Sequence, residues 1–242
     1  MKTKSFLVGS HALMVLFVAG CASSGLRQSA SPGPEQTGER QANKFRATDG
    51  RTIEIGKATP ANGGRSFRNP HLDKCWVADG FTFTGYDTLL IAPIVCTAKL
   101  KDDEHDRLQF AGQQLPIKLI HFLQPKGIFP KIVMDESQVE PGARVLKFEN
   151  TIIDYSKGSG AARYFAGLYG AGQPMIRVEG KLVEGDKPLF SYEARRSGTS
   201  FGARMGGASI GGEQIQAEDV HSMMLDLTDF MAAIAGKYTA KN

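Results

Sequence analysis

Two stretches of strict alternation constrain this chain most. From Arg144 to Tyr155, Leu146, Phe148 and Ile152 fall on one side, and Lys147, Glu149 and Thr151 on the other. From Met175 to Val183, Ile176, Val178 and Leu182 oppose Arg177, Glu179 and Lys181. A period of two is the mark of a strand with one buried and one wet face. Gly185-Asp186-Lys187 supplies turn residues where a hairpin needs them, and Leu189–Arg195 reads as the partner strand. The chain is therefore committed to an antiparallel sheet with one apolar face that something else must cover.

The covering elements are also legible. Val220, Met223, Met224, Leu227, Phe230, Met231 and Ile234 recur at helical spacing, Glu218 and Asp219 lie near the start, and Gly236-Lys237 can end the helix. The methionines there read as core packing. Leu108 to Leu123 has a similar stripe, with Pro116 expected to kink or split it. Before this second stripe, Tyr86–Val95 is a continuous apolar run suited to a buried strand, and after it Ile128–Met134 is a short strand that Pro130 marks as an edge. Together these predict a single compact α/β domain. Its mixed sheet has about four to five strands, with two main helices packed on one face.

The amino terminus has the layout of a secretion signal: Lys2 and Lys4, an apolar stretch over 6–19, then Val18-Ala19-Gly20-Cys21. The apolar stretch is shorter than the ~20 residues that span a bilayer, and it contains Ser10 and His11. Small residues followed by cysteine resemble the lipobox of bacterial lipoproteins. That resemblance implies cleavage after residue 20 and a diacylglycerol on Cys21, so that acyl chains tether the protein to a membrane. Ala22, where enterobacterial-type lipoproteins retained at the inner membrane carry aspartate, favours an outer-membrane protein facing the periplasm.

The expected organisation is a signal peptide over 1–20, a lipidated cysteine with a disordered tether over 21–69, and the α/β domain over 70–242. The tether is rich in Ser, Gly, Pro, Gln, Arg and Asn, with one short candidate strand at Thr52–Ile55. Its typical reach is about 35–40 Å. Lys2 and Lys4 account for two units of the formal +4, leaving a mild charge that, with export, argues against a nucleic-acid partner. Cys75 and Cys96 remain after Cys21, and an even pair in an exported domain invites a disulfide worth roughly 3 kcal/mol. Two buried free thiols are the alternative.

From Tyr155 onward, Lys157-Gly158-Ser159-Gly160-Ala161-Ala162-Arg163-Tyr164 leads through Gly167, Gly170 and Gly172 into the paired strands and a second glycine-rich loop over 198–212. With the buried first strand and the closing helix, this resembles a family of bacterial lipoproteins known only as a domain of unknown function (number forty-four ten). The resemblance implies a domain akin to the periplasmic parts of curli-export-type and penicillin-binding-protein-activator lipoproteins, which bind or assemble with proteins and are not enzymes. It carries no catalytic residues over. Arg163, Phe201 and Arg204 are candidates for a contact surface with an envelope partner or a second copy.

Sharper chemistry is weaker here. Gly198-Thr199-Ser200-Phe201-Gly202 matches the hydrolase elbow, but Ala203-Arg204-Met205-Gly206-Gly207 is a poor helix start, and His221 is the only downstream histidine. A serine hydrolase using Ser200 and a subunit of an oligomeric export or pore assembly stand as alternatives. The Asp102–Asp106 run reads as a charged helix start. His71, His105, His121 and His221 have no metal-ligand spacing, so neither metal nor cofactor is expected.

Overall fold

The computed structural model describes residues 43–159, 161–162, 172–198 and 212–241. Four strands come first: β1 (Lys44–Arg46), β2 (Thr52–Glu54), β3 (Lys57–Ala61) and β4 (Gly64–Arg68). They are followed by β5 (Lys74–Ala78), β6 (Thr88–Ile91) and β7 (Val95–Cys96). Helix α1 (His105–Leu123) leads to β8 (Lys131–Val133), then β9 (Val145–Ser156), β10 (Met175–Glu184) and β11 (Lys187–Arg196). Helix α2 (Gly212–Ile234) and β12 (Thr239–Ala240) close the chain.

The large sheet has nine strands in the order β3-β4-β5-β11-β10-β9-β6-β8, with β7 also pairing β9. It is antiparallel from β3 to β9 and parallel where β6 joins β9 and β8. A second, three-stranded sheet runs β12-β1-β2. The mixed α/β class is as expected, but the main sheet is larger than the four to five strands predicted.

The alternating stretches fold as their pattern requires. In β9, Leu146, Phe148 and Ile152 are buried while Lys147, Glu149 and Thr151 are half-buried. A bulge lies opposite Arg177/Val178: Arg177 pairs with Asp154 and Val178 with Ile152, leaving Ile153 as the extra residue. The bulge flips the phase, so Tyr155 and not Asp154 turns into the core. The β10–β11 hairpin turns at Gly185-Asp186, where Gly185 has φ 59°.

The two helices pack on the same face of the main sheet. Leu108, Ala111, Leu115, Leu119 and Leu123 of α1 and the Val220–Met231 stripe of α2 bury against Phe148, Ile176, Val178 and Phe190. Phe230 meets Phe67 edge-on at 5.3 Å and Phe190 at 6.0 Å between ring centres. At the end of α2 the Gly236 amide donates to the Ala233 carbonyl and the Lys237 amide to that of Ala232, which is the Schellman closure.

Three expectations are corrected. First, Pro116 does not split α1, which runs on through it to Leu123. Leu115 and Leu119 pack into one core on either side of it, and this offsets the roughly 3 kcal/mol that an interior proline costs. Second, the ordered domain begins by Asn43 and not at residue 70, because 43–69 carries β1 to β4. These strands are three to five residues long, and Phe67 is the one side chain they bury fully, with Ala47 and Ile55 buried just after β1 and β2, too few for a period to register in sequence. Third, Cys75 and Cys96 are free thiols. Cys75 lies in β5 and Cys96 in β7, with β11, β10 and β9 between them. Four strand spacings of ~4.8 Å place them about 19 Å apart, far beyond disulfide reach.

Candidate ligand-binding face

Among the described residues, the helices cover one face of the main sheet and leave its other face free. Strand register brings two rows of side chains together there. One row runs Ser66, Trp76, Ser191, Lys181, Glu149 across β4, β5, β11, β10 and β9. The next runs Lys74, Glu193, Glu179, Thr151, Val95 across β5, β11, β10, β9 and β7. With Ala92 and Pro93 as a wall, these side chains line a concavity of about 750 Å³. That is within the range of small-molecule sites.

Most charges on this face are held in short ladders. Glu149 accepts from Lys181 at 3.1 Å and lies 3.3 Å from Lys147. The Lys181 bond is the main reason its carboxyl is held below the usual range, against a smaller opposing effect of burial. Glu193 accepts from Arg177 Nε at 2.8 Å and from Lys74 at 3.4 Å. Burial works to raise its pKa, but the bonds to Arg177 and Lys74 together outweigh it and the net shift is downward. Glu179 lies directly between Glu193 and Thr151 in the register and is exposed.

Two glycines shape the face. A Cβ at Gly64 would stand 2.3 Å from the Val77 carbonyl oxygen and 2.8 Å from Trp76 Cε2, so its absence lets both the β5 backbone and the indole pack close against the β3–β4 hairpin. On the helix side, a Cβ at Gly180 would stand 2.2 Å from Tyr192 Cε1 and 2.5 Å from Asn150 Oδ1. Through that gap the buried Tyr192 hydroxyl donates to Asn150 Oδ1 at 2.8 Å. Burial pushes the Tyr192 phenol well up, so it stays a neutral donor that ties β11 to β9 across β10. Three of the strands that carry the polar rows, β11, β10 and β9, are thus fastened from below.

A second concavity, of about 740 Å³, shares Ala92 and Pro93 and runs along α1. Ile117 and Met134 are about half exposed in its walls, at 53% and 50%, and Cys96, His105 and Asp106 also line it.

Of the residues singled out from sequence, Cys21, Arg163, Ser200, Phe201 and Arg204 lie outside the described residues. Cys96 is exposed, whereas Cys75 is buried and its thiol is pushed up by desolvation. The acidic run starts α1 as expected, except that Glu104 is buried. Its two carboxylate oxygens accept from the Lys101 and Lys157 amides, each at 3.0 Å. His121 and His221 flank Phe122 with ring centres 5.0 and 4.9 Å away, and the His71 amide donates to Asn69 Oδ1. Among the described residues no group of three His, Cys, Asp or Glu side chains could hold a metal ion, and no helix is long and apolar enough to cross a membrane.

Sequence reasoning placed Lys147, Glu149, Thr151, Arg177, Glu179 and Lys181 on polar strand faces but missed Trp76, Lys74, Ser191 and Glu193 as their neighbours. The charge alternation was a usable signal. The strand order was not available from it.

No family model matches the chain, and no curated protein matches it. Among solved structures, the PelC dodecamer from Paraburkholderia phytofirmans is 14% identical, with 63% of this chain and 96% of that chain covered and a TM-score of 0.40. A homolog of the neuraminyllactose-binding hemagglutinin from Helicobacter pylori is 13% identical over 62% of this chain and 84% of its own, at TM-score 0.32. Protein XCC0632 from Xanthomonas campestris is 9% identical over 64% and 90%, at 0.31.

Proposed function

We propose that this chain is a non-catalytic lipoprotein of the bacterial cell envelope that works by binding, and that the helix-free sheet face is its binding surface. Lipid on Cys21 fastens it to the outer membrane on the periplasmic side. The resemblance to the forty-four-ten lipoproteins belongs to this reading. One observation carries it: a concave face of about 750 Å³ in which Trp76 and two ladders of paired charges converge, fastened from beneath by the Tyr192–Asn150 bond. Solvent-facing antiparallel sheets commonly carry cross-strand pairs of opposite charge. Here an aromatic ring and hydrogen-bonding groups converge on one concavity, as binding sites require.

A photoreactive residue placed at Glu179 in intact cells tests the surface, with the same residue at exposed Lys237 beyond α2 as control. The expected result is an adduct with an envelope component from position 179 that is absent from position 237 and weakened by Trp76→Ala. Identical patterns from both positions would remove the sheet face as the site. The anchor is tested separately: Cys21→Ser should release the protein from the membrane fraction.

A further inference from the structure

The groove's chemistry says more about its occupant. Its charged lining is balanced, with Lys74, Lys147 and Lys181 against Glu149, Glu179 and Glu193. Five of these six are already tied into ladders with Arg177, so a strongly charged ligand would have to break ion pairs to gain new ones. A neutral ligand rich in hydroxyls faces no such exchange. Each carboxylate keeps unused lone pairs and each ammonium keeps unused N–H groups, which suit neighbouring hydroxyls that both donate and accept. Ser66 and Ser191 flank Trp76 in the same row and offer the same dual capacity. The indole, lying across the hairpin at Gly64, presents an apolar platform of the kind that the C–H face of a sugar ring covers.

We infer that this face takes a neutral oligosaccharide, stacked on Trp76 and hydrogen-bonded along the Glu149–Lys181 and Glu193–Glu179 rows. This inference rests on the sheet face being the binding surface. It adds the class of ligand.

The chain carries a single tryptophan, so in the folded protein tryptophan fluorescence reports this groove. The full lipidated chain, in a detergent without a sugar headgroup, is titrated with a β-linked glucose tetramer, an N-acetylglucosamine tetramer and tetragalacturonate. The expected result is a saturable change with at least one neutral tetramer, nearly independent of salt, and little response to the polyanion. By calorimetry Trp76→Ala and Glu179→Ala each weaken that binding by about tenfold. Trp76→Phe, which keeps a ring, stays within a few fold. Glu179 is exposed, so its variant folds whether or not Trp76→Ala does.

If neither neutral sugar alters Trp76 but the photoreactive residue at 179 captures a protein, the ligand class is wrong and the binding face stands. A salt-sensitive response confined to tetragalacturonate also overturns the neutral class. If sugars are silent and position 179 captures nothing, both readings fall.

Discussion

Asp229 is the polar hub of the domain, and replacing it with asparagine gives a test with a calculable outcome. Its side chain is 1% exposed, and one oxygen, Oδ1, takes both the Lys126 ammonium and the Tyr238 hydroxyl, the latter at 2.6 Å. The other, Oδ2, takes Arg51 Nη1 at 2.9 Å. Arg51 sits between β1 and β2, Lys126 follows α1, and Tyr238 precedes β12, so α2 holds three separate segments through one carboxylate. Asparagine keeps the shape but removes the charge, and its amide turns two hydrogens toward groups that are themselves donors. Arg51 is 43% exposed and regains water, so it contributes little to the loss. Lys126, 10% exposed, is left as a buried cation without a counter-charge, its remaining acceptor the neutral Tyr238 hydroxyl at 2.7 Å. Breaking one side of such a pair costs about 3–5 kcal/mol, and the lower end, about 3 kcal/mol, is expected here because asparagine still accepts one bond. For a domain of this size that lowers Tm by roughly 6–12 °C. Urea unfolding followed by circular dichroism and Trp76 fluorescence measures it. Adding Lys126→Met should recover much of the loss, since no unpaired buried charge then remains. In the single variant the Tyr238 phenol, now raised by burial and by Asp229, should titrate closer to an ordinary tyrosine. A loss below about 1 kcal/mol, or no recovery in the double variant, refutes the hub.

Three further outcomes are expected from the geometry. Gly180→Ala drives a methyl into the Tyr192 ring and Asn150, so it should cost about 2–4 kcal/mol from overpacking and the strained Tyr192–Asn150 bond, read by chemical denaturation. Pairing it with Tyr192→Leu should restore part of that. In the native protein a thiol reagent should label exposed Cys96 rapidly and buried Cys75 only after unfolding, and non-reducing electrophoresis should show no internal cross-link between them. Glu149, Glu193 and Glu184 are all held below the usual carboxylate range, so the folded state binds protons less readily than the unfolded chain. Their contribution is therefore full above the unfolded value near 4.5 and is lost as pH falls below it through the folded values. Denaturation midpoints should be flat near neutrality and drop in that acid window, and the drop should be shallower in Glu149→Gln.

The local patterns of the chain were enough to establish the alternating strands β9 and β10, the turn from β10 into β11, the closing helix with its apolar stripe, the edge character of β8 and the polar identity of Lys147, Glu149, Arg177 and Lys181. Each arises from a periodicity within a dozen neighbouring residues, and such short-range regularity is a direct consequence of backbone geometry. Only tertiary structure decided that β4 and β5 join β11. That pairing extends the sheet and sets Trp76 beside Ser191 and Lys74 beside Glu193, 119 residues away in sequence. It decided the fate of the two cysteines, because four strand spacings separate residues that sequence counting had paired. It also decided that β1 and β2 belong to the domain, through an Arg51–Asp229 contact spanning 178 residues. Neither partner carries any local sign of the other. Such contacts depend on strand order and on which buried charge needs a counter-charge, and those are properties of the packed whole.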